Sequence, residues 1–288
     1  MSNTREVVTK INSVKSTQKI TRAMQMVAAS KMKRAQNSMR VSRPYAKQIQ
    51  QVMHHLATAN TDYEHPFMAD RSVQRVGYIV IATDKGLCGG LNVNLFKALL
   101  KDMQVWHNKG VAVDIATIGK KGKAFLGKFN ANIVAAVDNM ADIPSIMELT
   151  GAIKVMLDLY NNDKVDRIFI VYNEFINTMT QTPKVEQLVP IAADPQNTKI
   201  TQHSWDYIYE PAPEQLLDLL LQRYIESVVY QAVVENKASE QAARMLAMQS
   251  ATDNAKELID DLELMYNKAR QAAITQEIAE VVSGAAAI

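Results

Sequence analysis

The sequence predicts an α/β protein in which a long antiparallel coiled coil, made from the N- and C-terminal helices, carries an open, mainly parallel α/β domain. Three observations lead there. Helix breakers are confined to the middle: the first glycine is Gly77, only Pro44 and Pro66 precede it as prolines, and neither Gly nor Pro occurs in the 70 residues from Glu214 to Ser283. Between those ends, short apolar runs alternate with stretches of helical period. Charge is also segregated. Residues 1–60 hold 11 Lys/Arg and one acid, Glu6, whereas residues 214–288 hold 6 Lys/Arg and 12 Asp/Glu.

The breaker-free ends read as helices. At 1.5 Å per residue the C-terminal run would extend roughly 105 Å and residues 2–43 roughly 63 Å, with the N-terminal helix able to pass a kink at Pro44 towards Ala59. Helices of that length without caps indicate a coiled coil. Val7, Ile11, Val14, Gln18, Thr21, Gln25, Ala28, Met32, Ala35 and Met39 keep a/d spacing in the first helix. Ala251, Ala255, Leu258, Leu262, Met265, Ala269, Ala272, Gln276 and Ala279 keep it in the last. Both seams are Ala-rich and partly polar. Small seam residues allow close approach, and polar ones fix register at a cost in stability. A slim intramolecular pair is therefore expected rather than a strong dimer zipper. The expected domains are 1–60, 73–200 and 212–288.

In the middle, Val76–Asp84, Val111–Gly119 and Val165–Phe175 read as buried strands. Leu91–Trp106 and Ser145–Asn162 read as helices, and Val185–Ala192 as an edge strand with Pro190 near its end. Such alternation implies a Rossmann-like, mainly parallel open sheet.

Composition narrows the class. The 288 residues are 48% hydrophobic, enough for a substantial core, and the net charge is only +2. One cysteine, Cys88, excludes an internal disulfide framework and fits a reducing compartment. No apolar signal core opens the chain, and no run approaches ~18 apolar residues, so no membrane span is expected. The Gly-rich turn Thr83–Asn92 lies between a strand and a helix, where phosphate loops sit. It holds neither G-x-x-x-x-G-K-[ST] nor G-x-G-x-x-G, and Gly119–Phe125 lacks the spacing too. Turn-forming glycines are the simpler reading. His54, His55, His65, His107 and His203 lack metal-ligand spacing, and no G-x-S-x-G elbow occurs. No cofactor or metal is expected. Asp260, Asp261 and Glu263 suit a solvated helix face that could also meet a basic partner.

The stretch TQKITRAMQMVAASKMKRAQ near the start, GLCGGLN after the first strand, and ITQEIAEVVSGAAAI at the end resemble the gamma subunit of F-type ATP synthase. The match in order and spacing covers nearly the whole chain. It resembles bacterial members, since it lacks the regulatory cysteine insertion of chloroplast forms. The resemblance implies a rotor shaft: a coiled coil inside three alpha and three beta subunits, with the α/β domain on the c-ring beside epsilon. The subunit would be non-catalytic and peripheral, at the cytoplasmic face of a bacterial inner membrane. By position, the resemblance marks Lys19, Arg22, Met24, Lys33, Arg244, Arg270, Gln271, Thr275 and Glu277 as contacts with alpha and beta. It marks Tyr207 and Glu210 as contacts with the c-ring and epsilon. The stretch Ile20–Gln36 would turn its positive charges outward to acidic stator loops and pack its small and Met residues on the tail helix. The uncharged segment after Glu280 would suit an apolar sleeve.

Two other readings remain at this level. One is a basic coiled-coil protein that binds nucleic acid, although residues 1–44 show neither aromatic interleaving nor a groove-reading motif. The other is a nucleotide-binding α/β enzyme.

Overall fold

The structure, a computed structural model, describes residues 2–58, 66–69, 71–129, 131–142, 144–191 and 213–286. Its elements are α1 (Ser2–Thr58), β1 (Arg75–Ile81), α2 (Leu91–His107), β2 (Ala112–Ile118), α3 (Lys120–Leu126), β3 (Asn132–Val137), α4 (Ile146–Asn161), β4 (Arg167–Phe175), β5 (Gln181–Val189) and α5 (Pro213–Ala286). The chain divides into two compact units, Met1–Ala29 with Arg244–Ile288, and Ser30–Ala243. That division cuts across both long helices.

The first unit is an antiparallel helix pair. Thr21 and Thr252 hydroxyls lie 2.8 Å apart, and Lys15 Nζ pairs with Glu263 at 2.7 Å, so α5 numbering rises as α1 numbering falls. On α1 the heptad seam is as expected: Val7, Ile11, Val14, Gln18, Thr21, Gln25 and Ala28 are all buried or half-buried. On α5 the expected seam is half right. Ala251, Ala255, Leu262 and Ala269 are buried or half-buried, but Leu258 and Met265 are 48% and 59% exposed, and Ala272, Gln276 and Ala279 are exposed too. The buried stripe is Met248, Thr252, Ala255, Ile259, Leu262, Tyr266, Ala269 and Ala273. Apolar residues stand at both phases, Leu258 beside Ile259 and Met265 beside Tyr266, so local pattern cannot choose between them. Met248 and Thr252, upstream, set the phase.

The second unit is a layered α/β domain. Its sheet has the order β3-β2-β1-β4-β5, with β3, β2, β1 and β4 parallel and β5 antiparallel at the edge. Side chains alternate across β1, because successive residues point to opposite faces. Val76, Tyr78 and Val80 pack with Leu95, Phe96 and Leu99 of α2 and Leu126 of α3. Ile79 and Ile81 pack with Leu149, Ile153 and Met156 of α4. Gly77 makes that second face possible: a Cβ there would lie 2.3 Å from Met156 Cε. The same face is covered further by Leu221, Ile225, Val229 and Val233, a helical stripe on α5. Alongside, Ala35 and Met39 of α1 close on Val234, Ala238 and Ala242 of α5 and on Phe175. Ala238 and Ala242 are fully buried, which is what close helix packing requires.

Local signals explain most boundaries. At α4, the Ser145 backbone N–H donates to the Glu148 carboxylate (3.4 Å), one half of a capping box. α5 begins with Pro213, whose missing N–H is harmless in a first turn. α1 continues through Pro44 to Thr58. The sequence reading omitted two elements. β3 is a short edge strand whose residues stay half-exposed, and α3 is a seven-residue helix with two glycine neighbours and three lysines. Neither carries a strong hydrophobic period.

Candidate partner-binding faces and the crevice at the strand ends

α1 presents a basic face because its acidic partners are few. Lys19, Arg22, Lys33 and Arg34 are exposed, and among the described residues none of them makes an ion pair. Lys31 differs: its ammonium meets Asp142 in the loop after β3 at 2.8 Å. That pairing holds the Asp142 carboxyl below the usual range, and partial burial works against it. Met24 and Met32 are half-buried, whereas Met26 is 60% exposed, with Ile20 and Val27 beside it at 58% and 54%. The expectation that all small and Met residues of this stretch pack on the tail helix therefore fails for Met26 and for the small residues Ala23 and Ser30, which are exposed as well. Heptad phase decides it, since Thr21 and Ala28 take the seam and leave Ile20 and Val27 outside. These two aliphatic residues, a heptad apart beside Lys19, extend the candidate face. Sequence reading missed them, although their offset from the seam was visible.

On α5, Arg270, Gln271, Thr275 and Glu277 are exposed, and the Thr275 hydroxyl donates to the Gln271 carbonyl (2.9 Å). Ile274, Ile278, Val281 and Val282 are also exposed, by 47% to 72%. The tail is thus an apolar as well as a small surface. Arg244 stands apart, being only 8% exposed and so largely covered by its own chain. Tyr207 and Glu210 lie outside the described residues, as do His65 and His203.

In the second unit the C-terminal ends of the strands meet α5. The parallel order reverses between β1 and β4, the position where open α/β sheets take ligands. The last register pair of β1 with β4 is Val80 with Val171, so β4 runs on past its neighbour. Beyond that point α5 supplies the missing partners. The Asn173 backbone N–H and side-chain Nδ2 both donate to Asn236 Oδ1, at 3.2 and 2.8 Å. The Ser239 hydroxyl donates to the Asn173 carbonyl at 3.0 Å. Asn173, Asn236 and Ser239 are at most 1% exposed. On the β1 side, Asp84 Oδ1 accepts the backbone N–H groups of Lys120 and Asn139, both at 3.1 Å. Asp84 Oδ2 faces Lys237 at 3.7 Å.

The Gly-rich turn is held by Asn92. Its Nδ2 donates to the Thr83 hydroxyl at 2.7 Å, and the Thr83 N–H donates to Asn92 Oδ1 at 3.3 Å. Cys88 is 3% exposed beside Asn92, in packing rather than at a surface. Among the described residues no cluster of three His, Cys, Asp or Glu side chains could hold a metal, and no helix is long and apolar enough to cross a membrane.

Comparison with known proteins follows the same lines. A family described as ATP synthase matches residues 3–288. A chain of the rotor of Euglena gracilis mitochondrial ATP synthase, in rotational state 1, superposes with a TM-score of 0.67 at 20% identity, covering 95% of this chain and 99% of that one. A chain of the OSCP/F1/c-ring assembly from the same organism, in rotational state 3, gives a TM-score of 0.72 at 21% identity, covering 99% and 94%. A chain of the central stalk and c-ring of Tetrahymena thermophila mitochondrial ATP synthase gives 0.59 at 25% identity, covering 81% and 99%.

Proposed function

Because this chain belongs to the gamma-subunit family of ATP synthase, the rotor subunits of the central stalk, we propose that it couples proton-driven rotation of a c-ring to conformational cycling of an alpha/beta hexamer. The observation that carries this reading is the antiparallel helix pair, joined at Thr21–Thr252 and Lys15–Glu263, with an unneutralised basic face and an exposed apolar tail. A coupling shaft needs contacts whose strength differs between rotational states, because a contact equal in all of them transmits nothing. Lys19, Arg22, Met24 and Lys33 with Ile20 and Val27, and Arg270, Gln271, Thr275 and Glu277 on α5, offer charge and modest apolar area for such contacts. Tyr207 and Glu210 would meet the c-ring and epsilon. The subunit would do no bond chemistry and would lie peripherally, at the cytoplasmic face of an inner membrane if the source is bacterial. The strand ends at the sheet's switch point are bonded to Asn236 and Ser239 of α5, which speaks against a nucleotide enzyme.

Co-purification tests the assignment directly. The tagged chain is expected to bring down alpha and beta in three-fold excess. Recovery of the chain without either would overturn the reading. Met24→Lys adds like charge beside Arg22 and is expected to lower protons pumped per ATP while assembly persists. Unchanged pumping would remove Met24 from the contact set.

A further inference from the structure

Within the second unit, α5 meets the sheet through two kinds of contact. Leu221, Ile225, Val229 and Val233 form an apolar stripe, which holds the helix down but discriminates weakly between neighbouring rotational settings. Asn236 and Ser239 make directional bonds to one residue of one strand, with both backbone groups of Asn173 committed to them. Turning α5 about its axis by one residue would remove these acceptors and donors from Asn173 and leave its buried N–H and C=O unpaired, which is costly. Lys237 adds a charge facing Asp84, the side chain that also ties the start of α3 and the end of β3 together. Buried polar groups of this sort fix register at positions where apolar packing does not.

We propose that Asn173, Asn236 and Ser239, with the Lys237–Asp84 pair beside them, form a torsional key that locks the rotation of α5 to the sheet domain and so carries torque between them. The inference rests on the rotor reading. It makes Asn236 and Ser239 positioning residues: they touch no partner and act by preventing α5 from slipping against its collar under load. In this light the buried bonds are a mechanical joint at the switch point of the sheet, the place where open α/β sheets bind ligands.

The test uses the whole ATP synthase complex carrying Asn236→Leu, Ser239→Ala or Asn236→Asp. Asn236→Leu removes the acceptor at similar volume, and Asn236→Asp keeps an oxygen for both Asn173 donors. Three readouts are taken: ATP hydrolysis without a gradient, protons pumped per ATP against gradients of increasing size, and deuterium exchange at the Asn173 amide. The key predicts that Asn236→Leu hydrolyses ATP near the wild-type rate but loses pumping at a smaller opposing gradient. It also predicts Asn173 exchange about tenfold faster. Asn236→Asp should restore both, and Ser239→Ala, which frees only the Asn173 carbonyl, should fall between in pumping. Faster exchange with wild-type pumping at every gradient would overturn the proposal. Should Asn236→Leu fail to assemble, Ser239→Ala decides by pumping alone, since its loss frees the Asn173 carbonyl and leaves the N–H paired: earlier loss of pumping supports the key, and wild-type pumping at every gradient overturns it. A separate control isolates the underlying reading: in the wild-type complex, a bead attached through Lys101→Cys should rotate on ATP addition. Absence of rotation would refute the rotor role itself, whereas rotation with an unaltered load response in the variants would refute the key alone.

Discussion

Ala238→Leu tests how closely the helices pack. Ala238 is fully buried, among Ala35, Met39, Ala242, Val234 and Phe175. Leucine brings three more carbons, which would add about 2.4 kcal/mol if room existed, at ~0.8 kcal/mol per methylene. The site is closed by Ala35 on the facing helix, by Ala242 one turn along α5 itself and by an aromatic ring, so the carbons must displace backbone or force poor rotamers. Overpacking of that kind costs about 1–3 kcal/mol, and the cost is expected to win. The assay is urea denaturation of the full chain, where a loss of this size moves the midpoint down by roughly 0.5–1 M. Met39→Ala alone should destabilise too, by about 2–4 kcal/mol, since it opens a cavity in the same cluster. Combined, the two changes should cost less than their sum, because the introduced leucine can enter the space Met39 leaves. A midpoint unchanged or raised by Ala238→Leu alone would refute the close-packing argument.

Gly119→Ala should be more damaging than its size suggests, by about 2–3 kcal/mol. Gly119 has φ +102° and its Cβ would stand 2.3 Å from the Ala82 carbonyl oxygen, which is backbone and cannot swing aside; thermal unfolding of the variant reads the loss. Thr21→Val and Thr252→Val should each cost about 0.5–1.5 kcal/mol. Together they should cost less than the sum, since the 2.8 Å hydroxyl contact is lost once, and a double-mutant cycle measures this. Lys31→Met should cost under about 1 kcal/mol at pH 7, because the pair is partly solvated. Asp142 is held below its ordinary value in the folded protein, so its contribution is complete above the unfolded carboxyl value and fades as pH falls through the folded one. The gap between wild type and variant should therefore close below about pH 4, seen in denaturation curves across pH.

The sequence carried the architecture further than the contacts. Breaker placement located α1 and α5, and hydrophobic runs located β1, β2, β4 and the edge strand, because burial on both faces leaves a dense apolar signature. The α1 seam was legible to the residue, since only one phase there holds Ile11, Thr21 and Ala28. The α5 seam was ambiguous where Leu258 and Ile259, or Met265 and Tyr266, offered two equivalent phases; the partner helix resolves that choice and no local pattern contains it. β3 and α3 escaped because an edge strand and a two-turn helix bury too little to impose a period. Charge segregation pointed to the exposed basic residues of α1, but the burial of Arg244 depends on packing across elements. The Asn173–Asn236 contact was unreadable for the same reason: residues 63 apart in sequence, each unremarkable alone, meet only once α5 lies on the sheet.

β5 has a consequence for how the molecule keeps company. Its outer rim carries Pro183 opposite Asn173 and Lys184 opposite Tyr172. A proline offers no N–H to an incoming chain, and lysine resists desolvation, so this border is a poor template for adding another strand. Newly made copies, crowded together before they find a place, should therefore slide past one another instead of stitching into aggregates along that border.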